Sequence, residues 1–292
     1  DFSVPGKEIF VKGNNELLTL TQPHVIQEIH EQYLEAGADL IETNTFGASS
    51  VVLSEYGLEN KVEEINRGAI AAAKKAISKK VAMIIVEPIQ GENGVVVPDF
   101  GYLKTLRNLT TKHGVLLALD CDQTGMGRTG EWFGYESEGI VPDVITLAKG
   151  LGGGLPLGAM IAIGDCANLF TPGSHGSTFG GSPIACASAL AAISVLESDG
   201  LLARNKSLEL TFKLELSKNP IVSSVRGSGL LLGIVLKNEV AKDFVLKLQG
   251  VGVLANATSD SVIRIAPPLV VTDDQINKFI EAFRKVAQTH ER

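Results

Sequence analysis

DVITLAKGLGGG, residues 143–154, is an apolar run that ends in a lysine and continues into a series of glycines. Two similar apolar runs come earlier, VAMIIV at 81–86 and GVLLALD at 114–120, with a helix predicted between them over roughly 99–113. Strands separated by crossovers of helix length favour a mostly parallel sheet that is covered by helices on both faces. The central part of the chain is therefore predicted to have an α/β fold.

The segment before this central region also alternates between helical and strand patterns. A helix is predicted to begin near Pro23, because proline is favoured in the first helical turn and apolar residues follow at helical spacing. A buried strand is predicted over 38–46 and a second helix over 62–77. The N-terminal segment is thus expected to be a helix–strand–helix unit.

The segment after the central region has a different pattern, typical of a smaller α+β unit. Its last helix is predicted to begin at a capping box formed by Thr272 and Gln275. The other elements predicted there are helices over 183–197, 200–216 and 239–249, and strands over 221–226, 229–236, 252–256 and 262–265. We therefore predict three parts, residues 1–80, 81–216 and 217–292.

Composition and charge narrow the class of protein. The 292 residues are 45% hydrophobic and 20% charged, which excludes a disordered chain or a coiled coil. The net charge of -7 gives no general attraction to nucleic acid or to an anionic membrane, and no apolar run reaches the ~20 residues that span a bilayer. The first ten residues lack a basic start followed by an apolar stretch, and three dispersed cysteines form neither a disulfide framework nor a metal site. We expect a cytoplasmic protein without a metal.

Four segments carry polar residues where an open α/β sheet binds its ligands, beyond the carboxyl ends of its strands. They are EPIQGENG at 87–94, LALDCDQTGMGRTG at 117–130, TLAKGLGGGLPLGA at 146–159 and GSHGSTFGGSP at 173–183. Lys149 suits a lysine that forms a Schiff base in a dry pocket, and Asp120 suits the partner of a protonated pyridine nitrogen. Either residue alone is better explained as an ordinary surface or salt-bridging charge; the four segments in this order reverse that preference and favour a site.

Residues from about 81 to 289 resemble the class III pyridoxal-phosphate aminotransferases, especially the acetylornithine and ornithine types. The stretches that carry the resemblance are VEPIQGENGV, DCDQTGMGRTG, PDVITLAKGLGGGLPLGAM, PGSHGSTFGGSPIACA and IRIAPPLVVT. The resemblance implies a pyridoxal-phosphate-transferase-like large domain with a smaller C-terminal α+β domain. It also implies pyridoxal 5′-phosphate as cofactor, and transfer of an amino group from N-acetylornithine or a related omega-amine to 2-oxoglutarate.

The same resemblance assigns roles to individual residues. It implies that Lys149 binds the cofactor covalently and moves the substrate proton, that Asp120 pairs with the pyridine nitrogen and that Gln123 contacts the ring hydroxyl. Thr178 is expected to bind the cofactor phosphate of the partner subunit, which implies a homodimer. Arg264 matches the arginine that holds a substrate carboxylate, and Glu92 matches the acidic residue that pairs with that arginine.

Two features depart from the family pattern. Asp122 stands where the family has an apolar residue that packs on the cofactor ring, and residues 1–80 lack the family's phosphate-binding turn and ring-stacking aromatic. Residues 13–76, including IETNTF with Asn44, instead resemble part of the homocysteine S-methyltransferase barrel, a TIM barrel. The sequence therefore predicts that the chain is a chimera. Two functions remain as alternatives to transamination: a folded chain without catalysis and, more weakly, a homocysteine methyltransferase-like activity.

Overall fold

A computed structural model of the chain describes residues 13–38, 41–45, 48, 53, 56–76 and 82–290. The chain forms two compact units, one made of Asp1–Ile85 with Thr110–Leu116 and the other of Val86–Leu109 with Leu117–Arg292. The boundaries predicted at residues 80 and 216 stay predictions.

The described helices have the following bounds: α1 Leu18–Thr21, α2 Pro23–Glu35, α3 Val62–Ala76, α4 Tyr102–His113, α5 Pro183–Ser198, α6 Leu201–Ser217, α7 Ala241–Gly250 and α8 Asp273–Ala287. The strands are β1 Met83–Val86, β2 Leu116–Asp120, β3 Val144–Leu147, β4 Ala159–Ala162, β5 Val222–Ser228, β6 Leu231–Leu236, β7 Asn256–Ala257 and β8 Val262–Ile265. Short 3₁₀ turns cover Glu59–Lys61, Glu136–Glu138, Lys149–Gly152 and Gly164–Asn168.

The shorter unit is built from α1, α2 and α3. Its core is small and includes Leu53 and Ile65, both fully buried, together with Ala48 and Leu58. The helices predicted from Pro23 and over 62–77 are confirmed by α2 and α3.

The strand predicted over 38–46 is not present in the part of that range that the structure describes, where residues 41–45 have no regular structure. Local bonds replace sheet pairing there, because the Thr45 N–H donates to the Thr43 carbonyl and the two threonine hydroxyls bond each other at 2.8 Å. The remaining positions of the predicted strand, 39, 40 and 46, lie outside the described residues.

In the longer unit, β2, β3 and β4 form adjacent strands of a mixed sheet. β2 and β3 are parallel, with Asp120 opposite Thr146, whereas β4 runs antiparallel to β3. Buried Leu117, Leu119 and Ile145 form part of the core of this sheet. Because β2 and β3 are parallel and in register, their carboxyl ends meet at one edge, where the sequence places Asp120 and Lys149.

The C-terminal part of the longer unit is a second, antiparallel sheet with strand order β5-β6-β8-β7. The strands predicted over 221–226 and 229–236 are confirmed by β5 and β6, which pair antiparallel. The predicted capping box is confirmed by Thr272 and Gln275, which exchange backbone and side-chain hydrogen bonds. Three phenylalanines, Phe212, Phe244 and Phe283, are almost fully buried between this sheet and its helices. This packing fixes β8, the strand that carries Arg264.

The helices α5 and α6 are unusually apolar on their exposed faces. Ile184 and Leu190 of α5 are 74% and 68% exposed, and Leu210 and Leu214 of α6 are similarly uncovered. Within the described part of the chain, no single helix has the length and apolar character needed to cross a membrane. By length and composition alone, α5 and α6 together meet that test as a pair bent by 68°.

Candidate active site

The register of β2 and β3 brings the two central predicted residues to one edge of the sheet. Asp120 is the last residue of β2, and it pairs with Thr146 in β3. Lys149 follows β3 by two residues and begins a 3₁₀ turn. Among the described residues, none donates to or accepts from the Lys149 amine, and its side chain is exposed rather than enclosed in a dry pocket as expected from the sequence.

Two strained residues, Met126 and Lys149, lie at this edge, and a third, Val95, packs against Leu231 of β6. Among the described residues, three that are not glycine have a positive φ: Val95 at 57°, Met126 at 55° and Lys149 at 46°. Each lies in or next to one of the four segments singled out in the sequence. A left-handed conformation costs an ordinary L-residue about 1–2 kcal/mol, and such residues cluster at ligand sites. The strain therefore supports a site at this edge independently of the side chains.

The Asp120 carboxylate is held by neighbours on both strands. Its Oδ1 accepts hydrogen bonds from the Asp122 N–H at 2.9 Å and from the Thr146 hydroxyl at 3.3 Å. These bonds orient the carboxylate at the end of β2. Asp120 can thus act as a fixed acceptor for a protonated ring nitrogen.

Asp122 introduces a second carboxyl group beside Asp120. Burial raises the pKa of Asp122, and the charge of Asp120 raises it further, whereas Lys149 lowers it. An apolar residue at this position would neither bury a carboxyl group nor place a second negative charge beside Asp120. The departure from the family pattern therefore adds negative charge where the cofactor ring is expected.

Glu87 is an acidic residue of the site to which the sequence gave no role. It follows β1 directly, and its Oε2 accepts from the Gly91 N–H at 3.2 Å. Burial raises the pKa of Glu87, the Gly91 bond lowers it, and the charges of Asp120 and Lys149 act in opposite directions. Its position in EPIQGENG was the signal from which a site role could have been predicted.

Arg264, Glu92 and Gln123 form a hydrogen-bonded cluster. The Arg264 Nη1 donates to Glu92 Oε2 at 2.8 Å, to the Gly91 carbonyl at 2.9 Å and to Gln123 Oε1 at 3.4 Å. The Arg264 side chain is 17% exposed and that of Glu92 is 72% exposed. A Cβ atom at Gly91 would meet the end of the Gln123 side chain, so a larger residue at this position would displace Gln123 from the cluster.

Two further arginines, Arg128 and Arg226, hold the segments that carry this cluster. Arg128 donates to the carbonyls of Leu230 and Pro267, and Arg226 donates twice to the Gly94 carbonyl. Burial lowers the pKa of each guanidinium to about 10. Sequence reasoning did not assign either residue, although Arg128 lies within the quoted QTGMGRTG motif.

Thr178 is the one predicted site residue that the structure does not bring to this edge. It lies in an exposed segment of residues 170–182, and no hydrogen bond in the described part of the chain joins it to the other predicted residues. This position is compatible with a role toward a second subunit and gives no phosphate contact within one chain.

The donor set fits part of pyridoxal phosphate. An unpartnered amine at Lys149 suits its aldehyde, and the oriented carboxylate of Asp120 suits its pyridine nitrogen. Gln123 adds an amide within the same cluster. No group of three or more His, Cys, Asp or Glu side chains in the described ranges is arranged to hold a metal ion.

Parallel strands that end in a lysine and an aspartate, with an arginine–glutamate pair nearby, are features of the pyridoxal-phosphate transferase fold. The model of the family described as aminotransferase class-III matches residues 39–287, and the chain belongs to this family. Enzymes of this family use pyridoxal phosphate. The match includes residues 39–80, for which the sequence predicts an origin in a methyltransferase barrel.

Individual relatives of the chain have more narrowly defined names than the family as a whole. The chain is 48% identical over 227 residues to the acetylornithine aminotransferase of Mycobacterium bovis, which covers 77% of this chain and 57% of that protein. The acetylornithine aminotransferase structure from Elizabethkingia anophelis is 38% identical, with a TM-score of 0.69 over 75% of this chain and 61% of that one. The ornithine aminotransferase of Plasmodium yoelii is 36% identical, with a TM-score of 0.70 over 76% and 61%. The chain thus spans less than two thirds of the length of these relatives.

Proposed function

We propose that the chain is a pyridoxal-phosphate-dependent aminotransferase of the acetylornithine type. It would move an amino group from N-acetylornithine or a related omega-amine to 2-oxoglutarate. The observation that carries this proposal is the strained, unpartnered Lys149 beside the carboxyl end of the strand that presents Asp120. The identity to acetylornithine aminotransferases supports the choice of substrates.

The cofactor, when bound, supplies an electron sink for the carbon that bears the amino group. Lys149 Nζ would accept the proton from the substrate carbon and hold it for return. The Asp120 carboxylate, whose Oδ1 is oriented by Thr146 and the Asp122 N–H, would hold the ring nitrogen in its protonated form. The Gln123 side-chain amide would contact the ring hydroxyl.

Arg264 and Glu92 provide a way to accept two kinds of substrate. The largely buried Arg264 stays bonded to the Gly91 carbonyl, whereas the exposed Glu92 is free to turn toward solvent. When Glu92 moves away, the Arg264 guanidinium can bind a second carboxylate such as that of 2-oxoglutarate. When Glu92 is in place, the arginine is neutralised and a substrate without that carboxylate is favoured.

A homodimer is part of this proposal. The exposed apolar side chains include Phe179 at 87% and Ile184 and Leu190 of α5, and we expect a partner subunit to cover them. Thr178 precedes Phe179 in the sequence, and we propose that association through this surface brings Thr178 to the partner's cofactor phosphate. A Leu190→Glu variant is expected to sediment as a monomer and to lose cofactor affinity together with association.

The test of the proposed function is formation of glutamate from N-acetylornithine and 2-oxoglutarate in the presence of pyridoxal phosphate. Lys149→Ala is expected to lower the turnover roughly 10³-fold or more, because the acid–base group is lost. Lys112→Ala, which removes an exposed lysine in α4, serves as the matched control. Cooperative unfolding with no activity in the parent chain would support the alternative of a folded, non-catalytic chain.

For residues 1–80 we propose descent from a homocysteine S-methyltransferase barrel, which makes the chain a chimera. The resemblance of residues 13–76, with Asn44 in IETNTF, supports this origin. Transcript sequencing across the codons for residues 76–86 tests it, and a transcript that encodes different residues before position 80 would contradict it.

We also propose a cytoplasmic location, supported by Cys121, Cys166 and Cys186 all being free thiols; cell fractionation tests this location.

A further inference from the structure

The shorter unit contains a cleft that is unrelated to the Lys149 site. One wall is a single face of α2, formed by Ile26, Ile29, His30 and Tyr33 at helical spacing. The other wall is the segment of residues 41–44. We call this the His30 cleft. Its volume is about 420 Å³, within the range of sites that bind small molecules.

His30 gives the first indication of a ligand. Its side chain is 5% exposed, and its Nε2 is a buried polar atom without a hydrogen-bond partner. Leaving such an atom unpaired costs about 1–3 kcal/mol, so the arrangement is favourable only if something else satisfies it. His30 Nε2 has almost no accessible surface, so a small molecule in the cleft would reach it only after the His30 ring turns.

The charge of the cleft indicates which kind of ligand. Glu42 is the acidic residue of the lining, and the lining residues include neither lysine nor arginine. Burial lowers the pKa of His30, so its imidazole is neutral near neutral pH. The described lining is therefore negative overall, which favours a cation and disfavours a carboxylate or a phosphate.

The hydrogen-bonding groups of the cleft are mainly acceptors. The Asn44 Nδ2 donates to the Asn15 carbonyl at 2.8 Å and to the Thr19 hydroxyl at 3.1 Å, which leaves the amide oxygen as the group available to a ligand. The Glu42 carboxylate adds a charged acceptor. Opposite them lie apolar side chains of α2, of which Ile29 is 42% and Tyr33 is 63% exposed.

We propose that the His30 cleft binds a small primary ammonium ion that carries an aliphatic or aromatic group. The ammonium ion would donate to Glu42 and to the Asn44 amide oxygen and, once the His30 ring has turned, to its Nε2 in the tautomer that carries the proton on Nδ1. The hydrocarbon group would cover Ile29 and Tyr33 and remove their surface from water. This site is independent of the proposed transamination, because none of its residues belongs to the Lys149 cluster.

The experiment uses the full chain without cofactor and three probes of nearly equal shape: benzylammonium, benzyl alcohol and benzoate. Binding is measured by calorimetry and by NMR of chains with ¹⁵N-labelled histidine, with exposed His24 on the same helix as internal reference. Benzylammonium is expected to bind saturably and about tenfold more tightly than benzyl alcohol, with benzoate weakest. The His30 ring signals shift at saturation while those of His24 do not.

Two variants, each of which removes one carboxylate, distinguish a direct effect of the Glu42 charge on binding from a general effect on the fold. Glu42→Gln, at an exposed position, is expected to weaken benzylammonium about tenfold, whereas Glu28→Gln, exposed on α2, leaves the affinity unchanged. Binding should persist in Lys149→Ala, so that failure of the proposed transamination and failure of this site are distinguishable. Equal binding of benzyl alcohol, equal affinity of the two glutamine variants, or unmoved His30 signals would overturn the proposal.

Discussion

The residues around Lys149 and those around His30 differ in how their polar groups are satisfied. Near Lys149, Asp120 and Arg264 each have several hydrogen-bond partners within the described chain. In the shorter unit, His30 Nε2 and Asn14 Nδ2 are buried without a partner, and in the longer unit the same holds for Thr124 Oγ1 and Asn205 Oδ1. The comparison shows one site that is largely rigid before its ligand binds, apart from the Lys149 amine, and another that is incomplete, because His30 Nε2 has no partner among the described residues.

The largest effect is expected from the core that supports Arg264. Phe283 is fully buried, and its ring centroid lies 4.7 Å from that of Phe244. Phe283→Ala is expected to lower the free energy of unfolding of the longer unit by about 3–5 kcal/mol, measured by denaturant titration. The control Leu246→Ala, in α7 and 66% exposed, should stay within about 0.5 kcal/mol of the parent. Equal effects of the two changes would contradict the packing described for this sheet.

The next largest effect is expected at Arg264, the residue of the Lys149 site that is proposed to bind the substrate carboxylate. Arg264→Gln removes the guanidinium that donates to Glu92 and Gly91, so we expect KM for 2-oxoglutarate to rise about 30-fold, equivalent to about 2 kcal/mol. The KM for the amino donor should change less, because Glu92 neutralises the arginine in that half of the reaction. Steady-state kinetics with each substrate varied separately provides the measurement. Equal changes in both KM values would show that Arg264 does not distinguish the substrates.

A smaller effect is expected at Asp122, the residue that departs from the family pattern. Asp122→Val removes a like charge from beside Asp120 and restores an apolar contact, so pyridoxal phosphate should bind about tenfold more tightly. Asp122→Asn removes the charge without adding the apolar surface and should recover part of the gain. Fluorescence titration of the cofactor measures both, and unchanged affinity in both variants would show that Asp122 does not face the ring.

The smallest effect is expected at His30, through the pH dependence of the stability of the shorter unit. Burial lowers the pKa of His30 in the folded chain, whereas the unfolded chain binds the proton with a pKa near 6.5. The stabilising contribution of neutral His30 is therefore present above about pH 6.5 and is lost as the pH falls toward the lower, folded-state pKa. Hydrogen exchange of α2 amides between pH 7 and 5 should show this loss, and His30→Leu should remove it. Identical pH profiles for the parent and His30→Leu would disprove the assignment.

The sequence predicted the longer unit well because its patterns are local and strongly periodic. The hairpin of β5 and β6 and the capping box at Thr272 depend on neighbouring residues, and the parallel pairing that aligns Asp120 with Thr146 follows from two apolar runs. The role of Arg128 was not predictable, since it depends on contacts with residues distant in the sequence, whereas the position of Glu87 in EPIQGENG was a signal that could have been used.

The strand predicted over 38–46 shows the opposite case. Its apolar and β-branched residues suit a strand, but in the described residues 41–45 the threonine hydroxyls bond each other and Asn44 bonds to Asn15 and Thr19. Side-chain bonds of this kind compete with a sheet when no neighbouring strand is available. Propensity alone could not reveal which of the two would prevail.

The central claim is that Lys149 is the cofactor-binding lysine. Its most direct test is the absorbance spectrum of the chain during titration with pyridoxal phosphate. We predict a new band near visible wavelengths that saturates at one cofactor per chain, is absent in Lys149→Ala and is retained in Lys112→Ala. A parent chain that develops no band, or a Lys149→Ala chain whose band equals that of the parent, would contradict the claim.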